Sequence, residues 1–111
     1  MLKKLFFICL CISFSTISLS ASVYKGHGLF KKKCLSCHGK ALEFVIDKDT
    51  AQWAALMKDE GSPLLLIHIR AQGAEKSLDY FKGKRYPKNA RHFRDFFFEY
   101  AADTGNIPAC D

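Results

Sequence analysis

The sequence predicts an all-α fold, and three features carry that reading. No stretch alternates apolar and polar residues for long, and no Asn-Gly or Asp-Gly pair joins two such runs, so the signals of a hairpin are missing. Apolar residues recur instead at helical spacing, most clearly at Phe93, Phe96, Phe97, Tyr100 and Ala101. Capping and stopping residues bracket these runs, with Asp49 and Ser62 at starts and Gly61, Gly73 and Gly105 at ends.

Residues 1–20 read as an export leader. Lys3 and Lys4 precede the apolar run LFFICLCI at 5–12, and a Ser- and Thr-rich stretch follows to Ser20. Small residues at Ser18 and Ser20 place cleavage near Ser20 or Ala21. An uncleaved anchor is the alternative, but the run is short against the roughly 20 residues a span requires. The mature part, 21–111, is then one small domain with no second long apolar run, hence no membrane span, and its expected location is the periplasm. So small a domain gains from a cofactor that adds buried contacts.

Ser22 is a candidate cap for a first helix running through Lys33. Residues 39–47 (GKALEFVID) read as irregular or one weak turn. Asp47 or Asp49 caps a helix near 50–60 with Trp53, Leu56 and Met57 on one face, and Gly61 stops it. Ser62-Pro63 opens a new helix through LLLIHI that ends near Gly73. A short helix near 75–82 puts Leu78 and Phe81 on one side. The last helix starts around 87–89 and stops at Gly105.

Of the 17 Lys and Arg in the chain, 15 remain beyond Lys3 and Lys4 against 11 Asp and Glu, a net charge of +4. Lys82, Lys84, Arg85, Lys88, Arg91 and Arg94 crowd into 82–94, either as a solvated helix face or as a surface for an acidic partner protein or a bound anion. Nucleic acid is an unsuitable partner for an exported chain.

The chemistry concentrates in KKKCLSCHGK at 31–40, where Cys34 and Cys37 lie two residues apart and His38 follows directly. A redox dithiol of this spacing belongs at a helix start after a strand, and a Lys-rich helix precedes Cys34 instead. A structural zinc ion needs four ligands, and the mature chain offers only Cys110 and the scattered His27, His68 and His92 beyond the motif. A Cys34–Cys37 disulfide leaves His38 unexplained. The remaining reading, C-x-x-C-H, is covalent attachment of haem c. Each thiol adds across one vinyl group, the two-residue gap lets both sulfurs reach from one helical turn, and the adjacent imidazole becomes the proximal ligand to iron. The export leader agrees, since this attachment is completed outside the cytoplasm.

The stretch GHGLFKKKCLSCHG resembles the N-terminal helix of class I cytochromes c, with Gly26, Phe30 and Cys34 four residues apart. FRDFFFEYAADTG at 93–105 is similar to that family's terminal helix, with Tyr100 where an aromatic crosses the first helix. The resemblance implies a cytochrome c-like orthogonal helical bundle around one haem, with Gly26 allowing the two terminal helices to cross closely. It covers both ends of the mature domain and not 39–87. The chain also departs from the family pattern. No proline follows the motif until Pro63, so a different carbonyl has to orient His38. No methionine lies just before the last helix to take the distal position.

The distal candidates are His68, inside the apolar LLLIHI where an imidazole needs a partner; Met57, the one methionine of the mature chain; and His92, nearest in order to the usual ligand loop. His68 leads. An open position is the fourth option. Arg85, Lys88, Arg91 and the Trp53 indole are candidates for the haem propionates, each with plain solvation or core packing as the competing reading. Cys110 is the odd cysteine. His27 reads as a surface residue. No catalytic acid or base is recognisable beside the motif, so the chain is read as a non-enzyme: a periplasmic one-electron carrier serving redox partner proteins. The alternative is a haem-based binder or sensor of a small gas with a displaceable distal ligand.

Overall fold

A computed structural model describes residues 17–108, with the side chains of the first two left aside. Residues 1–16, most of the expected leader, and Cys110 lie outside the described residues. The described chain is all α, with no strand among its residues: α1 Ile17–Lys33, α2 Leu35–His38, α3 Ala41–Val45, α4 Thr50–Arg70, a 3₁₀ turn at Glu75–Ser77, α5 Leu78–Lys82 and α6 Arg85–Tyr100. No described helix is long and apolar enough to cross a membrane.

The first and last helices make the frame. A Cβ on Gly26 would run into the backbone oxygen of His92 and the Cβ of Phe96, so only glycine lets α1 and α6 meet backbone to backbone. Phe30, one turn on, is fully buried against Phe96 and Phe44 at ring-centre distances of 6.0 and 5.0 Å. Phe96 is therefore the aromatic at the crossing, and Tyr100 sits one turn beyond it, 5.5 Å from the Phe96 ring. α1 begins before Ser22 and does not use it as a cap. The Ser22 hydroxyl donates instead to Asp95 Oδ2 at 2.7 Å across the crossing.

The middle of the chain wraps this frame. The 39–47 stretch is more ordered than its sequence suggests: α3 buries Ala41 and Val45, and the Val45 carbonyl accepts the Trp53 indole N–H at 2.9 Å. α4 starts with a capping box, in which Asp49 Oδ1 accepts from the Gln52 N–H at 2.8 Å and Gln52 Oε1 accepts from the Asp49 N–H at 2.9 Å. Asp103 ties the chain end to the same helix start, accepting from the Thr50 N–H and hydroxyl at 2.9 and 2.8 Å.

The expected break at Gly61 is a kink inside α4. Lys58 is extended, and Asp59, Glu60 and Gly61 are all left-handed, with φ of 50°, 55° and 75°. Ser62 does not cap the second arm; its hydroxyl donates back to the Asp59 carbonyl at 2.6 Å. That arm ends at Arg70, short of Gly73. α6 begins at Arg85, earlier than expected, because Pro87 is tolerated inside the first turn where no helical N–H partner is lost. It ends at Tyr100, where Ala101 turns extended.

The core joins these elements through aromatic rings. Phe30, Trp53, Phe81, Tyr86, Phe93, Phe96 and Phe97 are all buried. Trp53 stacks on Phe97 at 4.4 Å. Each such burial contributes about 1.5–3 kcal/mol, and the ring contacts add geometric preference to it.

Candidate functional site

The C-x-x-C-H segment stays helical through its junction. The Cys34 N–H donates to the Phe30 carbonyl at 2.8 Å, and the His38 N–H donates to the Cys34 carbonyl at 2.9 Å. Cys34, Cys37 and His38 are thus three and four residues apart on one turn, and all three line one cavity of about 610 Å³. Gly39, with φ of 76°, stops the turn where other residues would be strained. Cys34 is half-buried, and Cys37 is exposed.

Across the cavity stands His68, on the second arm of α4. Its ring centre lies 6.0 Å from that of His38, with the two rings steeply inclined at 73°, and the ring stacks on Phe81 at 4.0 Å. The His68 Nδ1 is 2.7 Å from the Leu64 carbonyl. A carbonyl only accepts, so Nδ1 carries a proton, and Nε2 is the nitrogen with the lone pair in that neutral tautomer. His38 meets Phe44 edge-on at 4.8 Å. Its pKa is lowered, first by desolvation and then by the His68 imidazole, which favours the neutral form that can bind a metal.

The rest of the lining is mainly apolar, with Phe44, Trp53, Leu56, Leu64, Phe81 and Phe97 prominent. The volume falls within the range of cofactor and small-molecule sites, about 300–1,000 Å³. A haem fits this donor set. A metal–imidazole bond is about 2 Å, so two imidazoles sharing one ion have ring centres roughly 6 Å apart, and the porphyrin brings the other four donors itself. Among the described residues no three His, Cys, Asp or Glu side chains gather as a metal site. Burial, and then the neighbouring Cys37, push the Cys34 thiol up to about 12, whereas reactive dithiols hold a lowered value.

The other distal candidates lie elsewhere. Met57 is buried in the core and borders a separate cleft of about 190 Å³ with Ala54, Pro87 and Arg91. His92 is buried, not exposed as its basic surroundings suggest. It sits on the α1–α6 crossing, its Nδ1 donating to the Ser22 hydroxyl at 2.9 Å. Desolvation lowers its pKa, and the charges of Lys25 and Arg91 lower it further against the opposing pull of Asp95. His27 is half-buried and stacks on Phe96 at 4.8 Å, so it is a packing residue rather than a surface one.

The cations expected near an anionic group also differ. Arg85, Lys88 and Arg91 are exposed and do not line the large cavity; Lys33 and Lys48 do. Lys48 pairs with Asp47 at 2.9 Å and lies over the Trp53 ring, and Lys33 lies over Tyr80. The Trp53 N–H is already given to Val45. No sequence signal could have singled out Lys33 and Lys48, because their position depends on how α1 and the 46–49 turn meet the cavity. In comparisons with family models, curated proteins and solved structures, the chain matches none.

Proposed function

We propose that this chain is a one-electron carrier with a single covalently held haem c, built as an orthogonal cytochrome c-like bundle and working in the periplasm. One observation carries the reading: the ring centres of His38 and His68 lie 6.0 Å apart in a largely apolar cavity that Cys34 and Cys37 also line. In this reading Cys34 and Cys37 form the two thioethers, His38 is the proximal ligand and His68 the distal one. When bound, the haem would supply an iron that alternates between ferric and ferrous. The Leu64 carbonyl orients His68, as outer partners of metal-binding imidazoles do. Phe44, Phe81 and Phe97 keep the site dry, while exposed Cys37 and His38 leave one edge open to a redox partner. Two imidazoles favour a lower potential than a histidine–methionine pair.

The test is to produce the full-length chain in a host with haem-attachment machinery and compare spectra before and after denaturation. Haem that remains with the denatured chain supports the thioethers. A native low-spin ferric spectrum that His68→Ala turns high-spin, and that Met57→Leu and His92→Gln leave low-spin, supports the ligand pair. A colourless product sinks the reading, and a low-spin His68→Ala protein removes His68. The alternative, a gas-binding haem protein, predicts rapid carbon monoxide binding by the unmodified ferrous chain.

A further inference from the structure

The arm that carries His68 touches the core through half-buried side chains, Leu64 and Leu65 among them. The buried residues of α4 are Trp53, Met57 and Gly61, so the residues past the kink are half-buried or exposed. Leu66, Ile67 and Ile69 leave 43, 51 and 40 % of their surface in solvent. The kink itself holds two non-glycine residues, Asp59 and Glu60, in the left-handed region, a conformation that persists only where surrounding contacts impose it. Two contacts meet it: the Ser62 hydroxyl donates to the Asp59 carbonyl at 2.6 Å at the surface, and the Tyr86 hydroxyl, on α6, donates to the Gly61 carbonyl at 2.7 Å in the interior. A Cβ at Gly61 would strike that hydroxyl, so the kink and the phenol are fitted to each other. Within the arm, His68 is fixed by its own backbone through Leu64, so its imidazole moves with the arm.

From this geometry we infer that Tyr86 is the positioning residue for His68. Its hydroxyl latches the hinge at Gly61. Release lets the Ser62–Arg70 arm lift as one rod, drawing His68 off Phe81 and away from His38. The distal side of the cavity then opens to a small neutral ligand of diatomic size. The ligand consequence rests on the haem reading above; the latch does not.

The experiment uses the haem-loaded full-length chain, wild type and Tyr86→Phe, with carbon monoxide as the probe and amide hydrogen exchange as the second readout. In wild type, amides 64–70 open together as one unit, more often than those of α1 and α6. Tyr86→Phe removes one buried hydrogen bond, so the arm opens roughly tenfold more often and ferrous carbon monoxide uptake quickens by a similar factor. Amides of α1 and α6 exchange as before. Asp103→Asn, which weakens the start of α4 far from the hinge, leaves uptake unchanged. Arm amides that exchange no faster than α6 in wild type overturn the latch, as does a Tyr86→Phe protein whose amides all speed up equally. If no haem attaches, the haem reading fails, and hydrogen exchange on the colourless chain still decides the latch.

Discussion

Gly26 is the residue on which the frame depends. Its missing Cβ lets the His92 carbonyl and the Phe96 side chain approach α1, and no flexible group stands there to yield. Gly26→Ala is therefore expected to cost about 3 kcal/mol or more, the upper end for overpacking, because backbone rather than side chain must shift. Urea denaturation checks this; a loss below about 0.5 kcal/mol, the scale of neutral surface changes, would mean that the crossing is looser than drawn. At this scale the motif itself was legible, since Cys34, Cys37 and His38 need only their spacing along one turn. His68 was legible as an imidazole needing a partner in an apolar run. The burial of His92 was not, because the hydroxyl it meets belongs to Ser22 at the other end of the chain.

Helix starts were readable where the cap is local. Asp49 and Gln52 satisfy each other's neighbouring N–H groups within one turn, so the sequence suffices to place α4. Asp49→Ala is expected to lower stability by about 1 kcal/mol, measurable as a drop in Tm. The second support of that helix start is remote. The Thr50 hydroxyl and N–H hold the Asp103 carboxyl below the ordinary carboxylate range. A lowered folded value means that the unfolded chain binds the proton first, so this contribution is complete above about pH 5 and fades as pH falls past the ordinary value of about 3.9 and through the folded one. Asp103→Asn should thus lower Tm at pH 7, with the gap to wild type closing in acid; a gap that does not narrow as pH falls below the ordinary carboxylate value would contradict the charge-assisted bond. The same contrast explains the Gly61 region. Gly61 and Ser62-Pro63 announce a break, but that the break is a latched hinge depends on Tyr86, which no local pattern names.

For the whole molecule, the large cavity should govern stability. A chain with Cys34→Ser and Cys37→Ser cannot form the proposed thioethers, leaving apolar walls without a filling group. It is expected to lose roughly 2–5 kcal/mol relative to the haem-loaded chain, as truncated cores do. Calorimetry of the two forms tests this, and equal Tm values would show that the cavity closes without a cofactor. Acid should weaken the frame as well. The lowered pKa of His92 means that its neutral form suits the crossing, so stability falls as pH drops below about 6.5, where the unfolded imidazole takes up protons first.

By itself the sequence determined what is local or periodic: the helical class, the break at Gly61, the capping box at Asp49, and a cysteine pair with its histidine on one turn. Tertiary structure decided what depends on distant segments meeting. It set His68 across from His38, turned Met57 into the core and His92 onto the crossing, and brought Lys33 and Lys48 rather than Arg85, Lys88 or Arg91 to the cavity. The physical reason is the same in each case. Periodicity assigns a residue to a face of its own helix, but the neighbour across that face is chosen by the packing of the whole chain.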